Sequence, residues 1–406
     1  MFALGRRPVS RRTRAAAEPR SGTRRDQLAA IAAELFARHG YHNVSVSDIA
    51  AVAGVSGPAL YRHFRSKQAV LGHVMRAGLA EAVRVSDEQS GTGTDQRLRS
   101  IYAGLAAFMV RQPEFGVLWR RERRHLAAED AAAMRQQIGH VSSVVVGELR
   151  RLRSDMSSAD ASMLSWAALS VVGSISDHRV RLPQAAFEKL LTAIAMDVLA
   201  AALRSTPDHA GHREPAAELP ALDSRREQLL AAAARLFWDR GYHAVTMEEI
   251  GAAAGIAGPS IYGHFAGKSE LLQTAANRIA ARLRQSTEET SGAGLGERET
   301  LELLIASYVD MVLDNRDLLA AYFTEGHNLP EHDRVEFRRF QGTYAGYWAD
   351  LAGAVLPDCA EKEVRIRVHA AFAVVNDLAR TRRFSPHPDF AAQLRTLMRT
   401  VLLPPP

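Results

Sequence analysis

One segment of this chain occurs twice, at a constant separation of 201 positions. Residues 24–71 align with residues 225–272 without an insertion, and about half of the aligned positions are identical. The shared positions include Gly40-Tyr41-His42 and Gly241-Tyr242-His243. An internal repeat constrains the architecture more than any other sequence feature. We therefore expect two copies of one small folding unit in a single polypeptide.

The repeated segment has the pattern of a helix-turn-helix. In the first copy, apolar residues at helical spacing predict a helix that begins near residue 24 and ends at Gly40. Ser45 is typical of the N-cap of a second helix, with Asp48 three residues on as its capping-box partner. Gly54 provides a tight turn, and Ser56 can cap a third helix. Two short helices joined by a glycine turn form the geometry that enters the DNA major groove.

Both copies resemble the DNA-binding domain of the tetracycline-repressor (TetR) family, over about 50 residues each. The resemblance rests on Ala53-Gly54-Val55-Ser56, Tyr61-Arg62-His63-Phe64 and Ser66-Lys67, with their counterparts 201 positions later. For the first copy it implies phosphate contacts by Ser45, Tyr61, His63 and Lys67, base-facing roles for Gly57, Pro58 and Ala59, and an outward-facing Arg62. For the second copy it implies phosphate contacts by Thr246, Tyr262, His264 and Lys268, and base-facing roles for Gly258, Pro259 and Ser260.

The chain is predicted to be an all-α protein made of two tandem TetR-like units. We expect a basic arm at 1–22, DNA-binding domains at 23–82 and 223–283, helical effector and dimerisation domains at 83–204 and 284–406, and a linker at 205–222. The two helix-turn-helix motifs span 45–64 and 246–265. Outside these motifs the halves share little sequence, although Met109-Val110 echoes Met311-Val312 and Val171-Val172 echoes Val374-Val375.

Composition is consistent with this plan. The 406 residues suffice for two to four domains, and 47% hydrophobic with 24% charged residues is typical of a globular chain. No apolar run approaches the length of a membrane span. The single cysteine, Cys359, excludes an internal disulfide and fits a reducing cytoplasm. The arginines of 1–22 lack an apolar segment beside them, so we interpret this stretch as a solvated arm with DNA contact as an alternative.

Charge is distributed unequally between the halves. Residues 1–203 contain 28 Lys and Arg against 18 Asp and Glu, whereas the remainder contains 23 against 27. The segment 24–71 has a net charge of +3, and the segment 225–272 has none. Arg62 and Arg65 are replaced by Gly263 and Ala266, and Ser47 by Glu248. We call the helix-turn-helix domains at 23–82 and 223–283 the first and the second reader. Because phosphate neutralisation supplies most non-specific DNA affinity, we expect the first reader to dominate binding.

The resemblance also implies a helical effector-binding domain after each reader, with the last two long helices forming a four-helix bundle with a partner. Here the two halves are expected to form this pair within one chain, with higher oligomers left open. Ala167, Ser170, Gly173 and Ser174 give one such helix a small-residue face, although an ordinary core face would look the same. Covalent linkage places the halves at about millimolar effective concentration.

Aromatic residues in the effector domains are candidates for a ligand pocket, since such pockets are mostly apolar. The candidates are Phe108, Trp119 and Trp166 in the first half, and Tyr308, Tyr322, His327, Tyr344 and Tyr347 in the second. Because the second half is richer in tyrosine, we favour it as the ligand site, with an ordinary aromatic core as the alternative. The identity of the small-molecule effector is not readable from the sequence.

No catalytic motif is present in the sequence, and neither a cofactor nor a metal site is expected. His39 with His42, and His209 with His212, have no cysteine or carboxylate ligands at zinc spacing. We therefore predict a cytoplasmic, sequence-specific transcriptional regulator, a repressor that a small molecule releases from an imperfectly palindromic duplex operator. The alternative is an architectural DNA-binding protein without an effector.

Overall fold

The computed structural model describes residues 23–88, 93–203, 224–256, 258–292, 294–381, 383–384 and 389–403, with side chains except at 258 and 259. The predicted arm at 1–22, the predicted linker at 205–222, and His209 and His212 lie outside these residues. The described residues form helices and turns and contain no strand, which confirms the all-α fold class. None of the described helices is long and apolar enough to cross a membrane.

The first half contains nine α-helices within its described residues. They are α1 (Arg24–His39), α2 (Val46–Val52), α3 (Gly57–Tyr61), α4 (Lys67–Asp87), α5 (Thr94–Arg111), α6 (Glu114–Val117), α7 (Ala128–Leu152), α8 (Ser158–Gly173) and α9 (Gln184–Ala200). A π-helical turn at Leu118–Glu122 and a 3-10 turn at Arg123–His125 connect α6 to α7.

The second half repeats this order with one difference in its reader. Its α-helices are α10 (Arg225–Arg240), α11 (Met247–Ala253), α12 (Lys268–Ser291), α13 (Glu297–Asp314), α14 (Arg316–Glu325), α15 (Glu331–Val355), α16 (Glu361–Ala379) and α17 (Phe390–Leu402). The segment Gly258–Gly263, which corresponds to α3, is a 3-10 helix. Its sequence explains the difference, because Ala257 replaces the capping Ser56 and Gly263 replaces Arg62.

The caps predicted from the sequence form in both readers. Ser45 and Asp48 make a reciprocal capping box at the start of α2, and Thr246 and Glu249 make the same box at α11. Ser56 caps α3 by accepting from the backbone N–H of Ala59. Each box satisfies two backbone donors that the helix leaves unpaired, so the cap fixes where the second helix begins.

After the readers, the two halves correspond with an offset of 203 rather than 201. The helix α5 corresponds to α13 and α7 to α15 at this separation. Buried residues follow the same offset, so that Leu105 corresponds to Tyr308 and Met109 to Val312. The sequence echo of Met109 with Met311 is therefore wrong by one position, whereas the echo of Val171 with Val374 is in the structural register.

One apolar core joins the two halves. It contains buried residues of α5, α7, α8 and α9 together with those of α13, α15, α16 and α17. The helices α8 and α16 pack directly on each other, and α9 packs on α17. Ala167, Ser170 and Ser174 of the small-residue face are all buried. The four terminal helices thus pair the halves as a pseudo-dimer within one polypeptide.

Polar contacts cross the same boundary. The Arg120 guanidinium donates from Nε to the Asp377 carboxylate at 3.3 Å, and Gln393 Nε2 donates to Asp160 Oδ1 at 3.3 Å. Arg120 also forms an ion pair with Asp177 of its own half. These side chains lie at the edge of the shared core, where partial burial strengthens charged hydrogen bonds.

Candidate nucleic-acid interface and ligand cavity

The recognition segment of the first reader divides into a buried and an exposed face. Leu60 and Phe64 are buried in the reader core, while Tyr61 is 54% exposed. Pro58, Arg62 and His63 are also exposed, and Gly57, Ala59 and Ser45 are partly exposed. The helix therefore presents one continuous polar and aromatic face to solvent, as a groove-reading helix requires.

The second reader exposes a similar face but places a carboxylate on it. Tyr262 is 52% exposed, Ser260 and Thr246 are exposed, and His264 is half-buried. The Tyr262 hydroxyl donates to Glu248 Oε1 at 3.1 Å, and this hydrogen bond raises the pKa of Tyr262. The side chain of Pro259 and the exposure of Gly258 lie outside what the structure describes. A carboxylate beside the tyrosine opposes a phosphate at this position, whereas the first reader has Ser47 there.

The two lysines that follow the recognition segments are held inside their readers. Lys67 Nζ donates to the carbonyl oxygens of Tyr41 and Val44 at 2.7 and 2.8 Å, and lies 4.3 Å from the centre of the Tyr41 ring. Lys268 Nζ makes the same contacts with Tyr242 and Val245 at 2.6 and 2.7 Å. Burial lowers the pKa of both ammonium groups. An ammonium has three N–H donors, so one remains for a phosphate after it has braced the turn.

The two readers meet at a junction that the sequence did not predict. The rings of His42 and His243, which occupy equivalent positions, have centroids 4.5 Å apart. The buried Glu325 carboxylate of the second half pairs with Arg124 of the first. Arg124 approaches Gly241, and His327 approaches Gly40, which occupies the equivalent position in the first reader. We call this group, His42, His243, Arg124, Glu325 and His327, the reader junction.

His327 belongs to this junction and not to a ligand pocket. A Cβ on Gly40 would lie 2.5 Å from His327 Cδ2, so the first reader and the second effector domain are in close contact here. Burial lowers the pKa of His327 well below its usual range. The prediction that placed His327 beside a pocket is wrong, because the loop after α14 turns toward the readers.

The aromatic set of the second half forms a packed core. The Tyr308 ring lies 4.8 Å from Phe372, 5.9 Å from Trp348 and 6.5 Å from Tyr344. Tyr322 instead packs on Phe337 at 4.1 Å. Tyr347 approaches Ser291, with its hydroxyl oxygen 2.5 Å from Oγ. Contrary to our preference for this half, its rings contact one another and fill the space between α13, α15 and α16.

A cavity of about 140 Å³ lies in the first half instead. Leu105 and Leu169 line it at the positions that Tyr308 and Phe372 occupy in the second half. Its remaining apolar wall includes Phe108, Met109 and Phe115. In the second half the Tyr308 and Phe372 rings contact each other at 4.8 Å, so larger side chains occupy the positions at which two leucines border the cavity.

The cavity adjoins a wider groove of about 470 Å³ between α7 and α8. Trp119, Trp166, Arg123 and Ile138 line both spaces, so these side chains form the boundary between the cavity and the groove. The Trp166 indole Nε1 is buried, and within the described part of the chain it has no hydrogen-bond acceptor. Other buried side-chain atoms, the Trp348 indole Nε1 among them, also lack a partner among the described residues. What distinguishes the Trp166 N–H is its place between the two spaces, where an acceptor on a ligand or an ordered water can pair with it.

Another cluster of ligand-type side chains is exposed and weak. His332, Asp333 and Glu336 on α15 bring one ligand atom each within 4.8 Å of the others. Asp333 already accepts a hydrogen bond from Gln273 Nε2 at 2.7 Å. Three exposed or half-exposed groups on one helix are common without an ion, so we assign no metal site to them.

Two exposed recognition helices on one pseudo-symmetric helical scaffold define a helix-turn-helix DNA-binding protein with paired readers. The model of bacterial regulatory proteins of the tetR family matches residues 28–74 and 229–275. Both readers are therefore DNA-binding domains of the TetR family, carried in tandem on one chain, which confirms the resemblance seen in the sequence.

Curated relatives are regulators of the same family. The chain is 35% identical over 120 residues to the transcriptional activator FasR of Mycolicibacterium smegmatis, covering 27% of this chain and 52% of FasR. It is 29% identical over 166 residues to the repressor KstR2 of Rhodococcus jostii, covering 41% of this chain and 81% of KstR2. The chain thus matches only about half the length of FasR.

Solved structures of transcriptional regulators match less than half of the chain. The regulator PfmR from Thermus thermophilus has a TM-score of 0.39 and 23% identity, covering 44% of this chain and 97% of PfmR. KstR2 of Mycobacterium tuberculosis has a TM-score of 0.39 and 21% identity, covering 44% of this chain and 95% of that protein.

Proposed function

We propose that this protein is a cytoplasmic, sequence-specific regulator of transcription in which the two readers of one chain occupy the two half-sites of one operator. The observation that carries the proposal is the exposure of both recognition faces on readers that touch at the reader junction and share one core below it. A conventional member of such a family needs two chains for this arrangement. Here the second reader is part of the same polypeptide.

Within the first reader, we assign base contacts to Gly57, Pro58 and Ala59, and phosphate contacts to Ser45, Tyr61, Arg62 and His63. In the second reader, Ser260 takes the place of Ala59. A methyl group favours contact with the thymine methyl, whereas a hydroxyl bonds to several base edges. The two half-sites therefore differ, and the operator is an imperfect palindrome.

Lys67 and Lys268 have a different primary role. Each is expected to hold the turn before the second helix against the start of α4 or α12, leaving one N–H for a phosphate. They position the recognition helix first and neutralise phosphate second.

The direction of regulation that we propose is repression released by a small ligand. The open cavity of the first half, with its orphaned indole N–H, supports ligand control. An architectural DNA-binding protein without an effector has no need for such a cavity.

In vitro selection from random duplexes tests the DNA-binding proposal, followed by footprinting of the selected site. We expect two unequal half-sites, and we expect Tyr61→Phe to weaken binding more than Tyr262→Phe, whose hydroxyl already bonds to Glu248. Tyr347→Phe, outside both readers, is the matched control. Equal affinity for selected and scrambled duplexes would favour the architectural alternative.

A further inference from the structure

The cavity lies mainly in the first half, but residues of both halves line it. Most of its wall comes from α4, α5, α6 and α8. Asp377, Arg380 and Thr381, near the end of α16, close another side, and Trp238 of α10 reaches it from the second reader. A molecule bound here contacts the first effector domain, the second effector domain and the second reader at once.

The charge around the opening is strongly positive. Arg120, Arg123 and Arg380 line the cavity, and Arg135 and Arg383 line the groove, against one carboxylate, that of Asp377. Asp377 is neutralised by its ion pairs with Arg120 and Arg380. Arg123 and Arg383 instead lie over the rings of Trp119 and Trp166 at 5.5 and 4.7 Å. These two guanidinium groups face the groove with aromatic partners and offer their N–H donors to an anion.

The interior has the opposite character. Leu105, Phe108, Met109 and Phe115 form an apolar wall, and a space of similar size in another protein takes up benzene. The Trp166 indole N–H lies at the boundary between the apolar cavity and the positive groove, where it can donate to an acceptor. From inside to outside, a bound molecule would therefore meet the apolar wall, then the Trp166 N–H donor, and then the arginine-lined groove.

We propose that this composite site binds one amphiphilic anion per chain, with a ring or short apolar chain in the cavity and a carboxylate or phosphate group in the groove between Arg123 and Arg383. The inference rests on the proposed function and identifies the chemical class of its effector. It also assigns a single site to each chain, because Tyr308 and Phe372 fill the equivalent space of the second half.

The second reader receives the ligand signal directly through Trp238. This residue lies on α10, next to Phe237, which is buried in the core of the second reader. In the first reader Ala37 occupies the equivalent position. Ligand binding therefore acts on the weaker of the two readers, which needs the smallest change to leave its half-site.

The test uses 4-phenylbutyrate as the anion and 4-phenylbutyramide as its neutral match. Three of the four tryptophans, Trp119, Trp166 and Trp238, line the cavity, so tryptophan fluorescence reports binding without DNA. We expect one site per chain by calorimetry and about tenfold tighter binding of the anion, as one charged hydrogen-bonded contact supplies. Equal affinity for the anion and the amide would overturn the assignment of an anionic ligand.

Two sets of variants separate the parts of the site. Arg123→Gln with Arg383→Gln should reduce binding of the anion to that of the amide, while the exposed Arg150→Gln changes neither. Leu105→Tyr with Leu169→Phe copies the filled second half and should abolish binding of both probes. Because the same rings are accommodated in the second half, this variant is expected to fold, which circular dichroism checks.

Unchanged binding by the filled variant would place the probe elsewhere and overturn the proposed site. DNA binding is measured separately on the ligand-free protein. If the protein binds its operator but neither probe, only the ligand proposal is wrong. If it binds no duplex specifically, the proposed function is wrong.

Discussion

The ion pair between Arg124 and Glu325 makes a strong prediction about how the halves are joined. Glu325 is 1% exposed, and besides Arg124 its carboxylate accepts from Asn328 Nδ2 at 2.9 Å. Removing one partner of a buried pair leaves an uncompensated charge, at a typical cost of about 3–5 kcal/mol. We therefore expect Arg124→Ala to destabilise the folded chain by about that amount.

The other corners of a double-mutant cycle should behave differently. Glu325→Gln leaves the Arg124 guanidinium, which is 22% exposed and can be rehydrated, so the expected cost is about 1–3 kcal/mol. Replacing both residues by apolar ones of similar size, Arg124→Met with Glu325→Leu, should restore most of the loss. The coupling between the two positions is the part that measures the contact across the halves.

The stability loss caused by Arg124→Ala should also depend on pH, because the Glu325 carboxyl group titrates. Burial raises the pKa of Glu325, and Arg124 opposes that shift. A folded-state pKa above the unfolded value means that stability falls as pH rises, because the folded state then holds the extra proton. Without Arg124 the pKa rises further, so the loss in Arg124→Ala should be larger at pH 8 than near pH 5.

Thermal unfolding followed by circular dichroism is the assay. For 406 residues that share one core, each kcal/mol of lost stability lowers Tm by only about 1 °C, so Arg124→Ala should melt about 3–6 °C lower. The control is Arg38→Ala, which breaks an exposed ion pair with Glu34 on α1 and should cost at most about 1 kcal/mol. Equal melting temperatures for Arg124→Ala and Arg38→Ala would contradict this prediction.

Three further predictions concern the readers. Lys67→Met should destabilise the first reader by about 1–3 kcal/mol, because two carbonyl oxygens lose their donor. If DNA binding weakened while the melting temperature stayed unchanged, Lys67 would contact phosphate and have no structural role. Glu248→Ser should strengthen binding of the second half-site and Ser47→Glu should weaken binding of the first, measured by band shift on each half-site; no change in either would show that the Glu248 carboxylate is remote from the phosphates. Burial lowers the pKa of His125 to about 3 and that of His42 to about 4, so the folded state binds fewer protons than the unfolded one, and stability should fall as pH drops from about 6.5 toward 4. His125→Asn, which copies Asn328 of the second half, should flatten that decline, and an equally steep decline in the variant would assign it to other groups.

The readers were predictable because their determinants are local. Ser45 with Asp48, and Thr246 with Glu249, are capping boxes within four residues of chain, and both form. The pairing of the halves was also predictable, since terminal helices with apolar faces need a partner and the second half supplies one at high effective concentration.

The location of the cavity could not be predicted from the sequence, because it depends on contacts between distant segments of the chain. A count of tyrosines favoured the second half as the ligand site, yet whether rings line a space or fill it depends on Leu105 and Leu169 against Tyr308 and Phe372. Those pairs emerge only with the offset of 203 after the readers. His327 was misplaced for a related reason, since Gly40, which it approaches, is far away in the chain. The carbonyl partners of Lys67 and Lys268, 23 and 26 residues away, were likewise not predicted, and the phosphate contacts of the two lysines stay a prediction.

The segment 114–126 does not form one continuous α-helix. The backbone widens into a π-helical turn at Leu118–Glu122, which directs Arg120 toward Asp377 and Arg121 toward the carbonyl oxygens that end α1. Widened turns of this kind occur frequently at functional sites. Trp119 of this turn lines the cavity.

We predict that the two readers of one chain bind both half-sites of one operator. Native mass spectrometry of the protein with its selected duplex measures this directly, given a chain mass of 44.4 kDa. We predict a free monomer and a complex of one chain with one duplex, in which footprinting shows both half-sites protected. Two chains on a minimal operator, each with one reader bound and the other free, would contradict the claim.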